Sequence, residues 1–107
     1  MREEETMGLA ERRSDLRASC RIEIQCASAD ALFSGTLLNV STTGAYLETS
    51  VTPPPTEGSQ LTLLWKVGSQ KVQAEAIIVW SHPSGSVGLR FVDRLPMNVV
   101  RDSGLKY

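Results

Sequence analysis

The chain has 107 residues, of which 11 are Lys or Arg and 12 are Asp or Glu, giving a net charge of −1. That length suits one domain built on a single hydrophobic core and leaves no room for a second. The nearly balanced charge excludes a protein that holds nucleic acid or a membrane surface through a broad basic field, so any anion site must be local.

Residues 1–11 carry Glu3, Glu4 and Glu5 with few large apolar groups and read as a disordered leader. They contain no secretory signal, and no run in the chain approaches the ~18–20 apolar residues that cross a bilayer. The expectation is a soluble cytoplasmic protein without membrane insertion. The arm Arg12-Arg13-Ser14-Asp15-Leu16-Arg17 has no strand periodicity and is expected to be flexible in the free protein. Its arginines are forked cations suited to phosphates or flat rings; Glu11 and Asp15 also allow a plain solvated charge run.

From Cys20 the pattern is that of strands. Cys20 to Cys26 alternates apolar residues with Arg21, Glu23 and Gln25, as a half-buried antiparallel strand does. Six residues of strand hold the two thiols about 20 Å apart, too far for a disulfide, and they share parity with Ile22 and Ile24 as small buried groups. With His82 the sole histidine and no Cys-x-x-Cys spacing, no metal site is expected.

Leu32 to Val40 is the second expected strand, with Gly35 marking a bulge or bend. If Leu38 and Val40 point inward, Asn39 points outward, and Ser41 follows it. Asn39-Val40-Ser41-Thr42-Thr43-Gly44 then forms a sharp polar corner before a third strand, Gly44 to Thr49. Gly44 suits a positive φ or a close approach by a ligand or another backbone.

Pro53-Pro54-Pro55 lies in a connection, since a proline run has no donors for a sheet. Ser59 to Val67 and Gln70 to Trp80 form an expected hairpin around Gly68-Ser69. The turn Ser81-His82-Pro83-Ser84-Gly85 leads to Ser86 to Val92, where Val87, Leu89 and Phe91 share one face and Gly88 and Arg90 the other. Leu95 to Asp102 is an expected short helix opened by Pro96. Six strands with turn signals about ten residues apart predict an all-β protein, a small antiparallel barrel or sandwich. The expected division is a leader at 1–11, the barrel domain at 12–94, and a helix or tail at 95–107.

No convergent set of titratable groups supports catalysis. His82 sits in a turn before Pro83, and the Gly-x-Ser-x-Gly, His-Glu-x-x-His and Gly-x-x-x-x-Gly-Lys motifs are absent. No enzyme activity and no cofactor are expected. What recurs is chemistry for a flat, anionic, hydrogen-bonding ligand: an arginine arm and an outward Asn/Ser corner.

Arg13-Ser14-Asp15-Leu16-Arg17, followed about twenty residues later by Asn39-Val40-Ser41-Thr42-Thr43-Gly44, resembles the paired signature R-x-x-x-R and [D/N]-x-S-x-x-G of PilZ domains. The resemblance runs from Arg12 to Asp93 and includes Ile77-Ile78-Val79-Trp80 and Val87-Gly88-Leu89-Arg90-Phe91, which are similar to the last two strands of that family. It implies a six-stranded antiparallel barrel and a bacterial receptor for cyclic di-GMP. By the match, Arg13, Arg17, Asn39, Ser41 and Gly44 are the motif residues. Arg12 would stack on a second nucleotide if the ligand enters as an intercalated dimer.

The residue types suit that ligand. A guanidinium can bind a phosphate or the O6/N7 edge of guanine bidentately, and can stack on the base. Asn39 is uncharged where many members carry Asp. Trp80 is either a core or rim aromatic, or stands near enough to report binding. The arm would close over the barrel when nucleotide binds and so signal to an unidentified effector protein. Two alternatives stand: a PilZ-like adaptor that binds protein but no nucleotide, and a small barrel for single-stranded nucleic acid. The second has only six aromatic residues and a slightly acidic charge balance to draw on.

Overall fold

The computed structural model describes residues 17–104. Six strands run in chain order: β1 (Arg17–Ala27), β2 (Leu32–Ser41), β3 (Gly44–Glu48), β4 (Gln60–Val67), β5 (Gln70–Ser81) and β6 (Ser86–Phe91), followed by one helix, α1 (Met97–Ser103). All neighbours are antiparallel and the sheet closes as a barrel in the order β1-β2-β3-β6-β5-β4. Closure pairs every strand on both sides for at least part of its length, which limits the edge a small all-β chain exposes to its neighbours.

Alternation fills the barrel. Leu61, Leu63 and Trp65 of β4 face inward and meet Val72, Ala74, Ala76 and Ile78 of β5 and Val87, Leu89 and Phe91 of β6. The β4–β5 hairpin turns at Gly68, with φ +63°, and the β5–β6 turn uses Gly85, with φ +103°. The proline run lies between β3 and β4, outside any strand.

The register slips at three places, in β1, in β2 and between Ile78 and Trp80 of β5, where Trp80 turns outward although it shares parity with the buried Ile78. In β1 the register slips between Ser19 and Ile22, yet the expected alternation holds: Cys20, Ile24 and Cys26 are buried, Ile22 is half-buried, and Arg21, Glu23 and Gln25 are exposed. In β2 it slips between Leu37 and Asn39, which turns Leu37 inward in place of Leu38 and keeps Val40 inward. An extra residue on one strand bends it and increases the local twist that barrel closure requires. Asn39 therefore still faces outward, although for a different reason than simple alternation. No slip occurs at Gly35. A Cβ there would come within 2.8 Å of Leu47 Cδ1, so the missing side chain makes room for the core.

β1 and β4 pair only from Gln25↔Leu64 to Ala27↔Thr62. The helix packs against both strands where their ladder stops, burying Val99, Val100 and Ser103. The indole N–H of Trp65 donates to Ser103 Oγ at 3.4 Å, and that hydroxyl donates to the Val99 carbonyl at 2.7 Å. Pro96 precedes the first helical residue, as expected from its fixed φ and missing donor. No helix among the described residues is long and apolar enough to cross a membrane.

Both cysteines are free and buried. Burial disfavours the thiolate and pushes Cys20 up to about 11 and Cys26 up to about 12. Among the described residues no cluster of His, Cys, Asp and Glu could hold a metal ion.

Candidate functional site

The corner between β2 and β3 is built by one hydroxyl. Ser41 Oγ accepts from the backbone N–H of Thr43 at 3.2 Å and of Gly44 at 3.0 Å, and lies 3.3 Å from the Gly44 carbonyl. Those amides leave the β2 ladder at the corner, and a serine two or three residues upstream supplies the acceptor they would otherwise lack. Ser41 is consequently buried, at 5% exposure, and does not stand outward beside Asn39 as simple alternation suggested. Its role is to shape the corner.

Thr42 fastens the same corner from behind. Its carbonyl accepts from Leu95 N at 2.9 Å and its Oγ1 from Arg94 Nη2 at 3.1 Å, while Thr43 O accepts from Phe91 N at 2.7 Å. Gly44 has no positive φ. It is required by a backbone neighbour, because a Cβ there would stand 2.4 Å from Leu89 O on β6. Of the two close approaches considered for this glycine, the strand-to-strand one is present.

Arg17 is the first residue of β1, paired with Ser41, and Ala18 and Ser19 continue opposite Val40 and Asn39. The expected strand start at Cys20 is thus three residues late, because the end of β2 takes its backbone partners from Arg17 to Ser19. The flexible arm expected to include Arg17 cannot extend that far. Arg12 and Arg13 lie outside the described residues.

Register places the outward residues of four strands in one row. Asn39 of β2 sits opposite Tyr46 of β3, Tyr46 opposite Gly88 of β6, and Gly88 opposite Trp80 of β5. The Trp80 indole lies over Gly88, where a Cβ would be only 2.1 Å from Nε1, and meets the Tyr46 ring edge-to-face with centroids 5.7 Å apart. The Tyr46 hydroxyl is anchored by donation to Ser86 Oγ at 3.1 Å. In the next row Arg90 of β6 lies opposite Gly44.

These rows line an open cleft of about 350 Å³ on the outside of the barrel, bounded by Arg17, Asn39, Gly44, Tyr46, Trp80 and Arg90, with Ser41 at its edge. Both charged side chains in it are guanidinium cations, although the protein as a whole is slightly acidic. Among the described residues the Asn39 amide and the Arg90 guanidinium have no hydrogen-bond partner. A half-exposed indole, a phenol, two guanidinium forks and an amide on one surface form a place for an anion that carries a flat ring.

Arg17, Asn39, Ser41 and Gly44 therefore meet in one cleft. Tyr46, Gly88 and Arg90 were not singled out from the sequence, and Trp80 only as a possible reporter. The alternation of β6 did put Gly88 and Arg90 on the outer face, but only register brings them beside the corner. His82 lies in the β5–β6 turn with its Nδ1 accepting from Ser84 N at 3.1 Å, away from this cleft.

A closed six-stranded antiparallel barrel, with a cleft carrying two guanidinium groups outside a serine-built corner, defines a small all-β domain. Residues 11–103 match the family profile of the PilZ domain, and the chain belongs to that family, one of cyclic di-GMP receptor domains. Among solved structures it is similar to the inhibitor of motility MotI/DgrA of Bacillus subtilis, with a TM-score of 0.70 at 13% identity over 85% of this chain and 48% of that one. The chain thus spans about half the length of that relative. It is also similar to the PilZ domain of CeSA from a cellulose-synthesizing bacterium, with a TM-score of 0.65 at 14% identity, covering 82% of this chain and 90% of that one. No curated protein sequence gives a significant match.

Proposed function

We propose that this protein is a cytoplasmic bacterial receptor for cyclic di-GMP, without enzyme activity or cofactor, that signals to an effector protein. The observation that carries this reading is the convergence of Arg17, Asn39 and Arg90 with the Trp80–Tyr46 pair in one cleft beside the Ser41–Gly44 corner. Cyclic di-GMP presents two phosphates and two guanines. Arg17 and Arg90 supply bidentate donors for a phosphate or a guanine O6/N7 edge, and the Asn39 amide meets the polar edge of a base. The exposed indole offers a stacking face. Ser41 and Gly44 act indirectly, by fixing the corner.

Arg12 and Arg13 complete the basic set from the N-terminal side, and closure of their segment over the cleft is the step that a partner reads. Ordering that segment costs free energy, which charge-assisted contacts of about 1.5–3 kcal/mol each offset. Arg12 stacks on a second nucleotide if two enter, so Arg12→Ala should lower the calorimetric stoichiometry from two per chain to one; one per chain in both proteins removes that role.

Trp80 gives the direct test. Titration with cyclic di-GMP should change its emission saturably, GTP should not, and Asn39→Ala should weaken the response. An unchanged emission together with no retention of labelled cyclic di-GMP in equilibrium dialysis would exclude the receptor reading and leave the protein-binding adaptor.

A further inference from the structure

The end of the barrel remote from the corner carries a second and larger cleft, of about 660 Å³, between the β1–β2 turn and the proline-rich connection. Arg17 and Ala27, one on each cleft, are the two ends of β1 and lie roughly 30 Å apart at ~3.3 Å per residue, while on β5 Glu75 and Val79 bring the two linings to about 13 Å. Its apolar lining includes Phe33, Val51, Pro53 and Leu61. Leu32, between two lining residues, is 83% exposed. Its charged lining is Asp30 and Glu75, both acids.

Glu75 is already oriented. Its Oε1 accepts from Thr62 Oγ1 at 2.7 Å and from Gln60 Nε2 at 3.2 Å. The Thr62 bond first, and the Gln60 bond after it, hold its carboxyl below the usual carboxylate range, so it is ionised at neutral pH. Pro53 and Pro55 have no N–H, so they offer the cleft apolar ring surface and carbonyl acceptors. Apolar side chains and proline rings beside two anions are complementary to cationic and apolar side chains carried together.

We propose that this cleft is the docking site for a basic, apolar segment of a partner protein, with leucine-like side chains on Leu32, Phe33 and Val51 and a Lys or Arg at Asp30 and Glu75. It is separate from the nucleotide cleft and does not depend on that cleft's assignment. A partner held here leaves the nucleotide surface open, so one chain engages both at once.

The test uses the isotope-labelled full chain without nucleotide and three synthetic octapeptides: alternating Lys-Leu, alternating Glu-Leu and alternating Lys-Ser. The Lys-Leu peptide should shift the backbone amides of Asp30, Phe33, Val51, Leu61 and Glu75 saturably, and the other two should not. Glu75→Gln keeps a carbonyl for Thr62 and Asp30→Asn is exposed, so both variants retain the fold. Each should weaken the Lys-Leu peptide about 5-fold. Shifts centred on residues 39–46, equal binding of Lys-Ser, an unchanged affinity in the double variant, or no shifts overturn the proposal. So do shifts of these amides with protein concentration alone, which assign the cleft to a second copy. A nucleotide titration of the same sample reports on the other cleft independently.

Discussion

Trp80 and Tyr46 meet edge-to-face above Gly88, on strands that do not pair with each other. The contact exists because β6 carries no side chain between them. Such pairs contribute about 0.5–1.5 kcal/mol beyond the area they bury. Gly88→Ala places a methyl where the indole lies, 2.1 Å from Nε1. The expected result is an outward-turned Trp80 with red-shifted emission, a lower Tm and weaker cyclic di-GMP binding. Wild-type emission from Gly88→Ala would remove the glycine from the account of the cleft.

The two arginines near the corner should separate in their effects. Arg90 is exposed and lines the cleft, so Arg90→Ala should lower cyclic di-GMP affinity about 10- to 100-fold and leave stability unchanged within ~0.5 kcal/mol. Arg94 binds Thr42 Oγ1 instead, and Arg94→Ala should lower stability by about 1 kcal/mol. Paired urea denaturation and calorimetry on both variants measure the split.

Ser41→Ala should behave as a folding variant more than as a lost ligand contact. It leaves the Thr43 and Gly44 amides without their acceptor, at a cost of about 1–3 kcal/mol. Denaturant midpoints and amide exchange at residues 43 and 44 check this. Undiminished stability would mean that the hydroxyl serves the ligand directly.

The thiols set a pH limit. Their ordinary value is 9.0 and burial raises both, so the folded state keeps protons that the unfolded chain releases as pH rises above 9. This contribution is fully present below pH 9 and is lost as pH climbs through about 11 for Cys20 and about 12 for Cys26. Denaturant unfolding should show stability falling above pH 9 in the wild type, with a shallower fall in Cys26→Ala. At pH 8 neither thiol should react with iodoacetamide until the chain unfolds.

The six strands, their order in the chain and the turns at Gly68 and Gly85 could be read from alternation and turn residues, because each reflects a local rule. The family resemblance implies a six-stranded antiparallel barrel, but the closed order β1-β2-β3-β6-β5-β4 comes only from the structure, since local patterns give hairpin neighbours and not the pairings of strands distant in the chain. Parity failed where bulges intervened: Leu37, not Leu38, is inward, and the extra residue that causes this has no composition signal. Alternation predicts an outward Ser41, but as the last residue of β2 it stands at a corner where its hydroxyl has the Thr43 and Gly44 amides to satisfy. Arg90 shows the same limit from the other side. Its outward face was legible, but its position beside Gly44 depends on long-range register, as does the distance of Trp80 from Tyr46.

The central claim is that the corner cleft binds cyclic di-GMP through its arginines, and calorimetry of the purified chain with cyclic di-GMP, with GTP as control and Arg17→Ala as the matched variant, tests it most directly. The account predicts saturable binding for the wild type, none for GTP, and a loss of roughly 10- to 150-fold in Arg17→Ala. Wild-type affinity in Arg17→Ala, or no heat at two temperatures with concentrated protein, would contradict it.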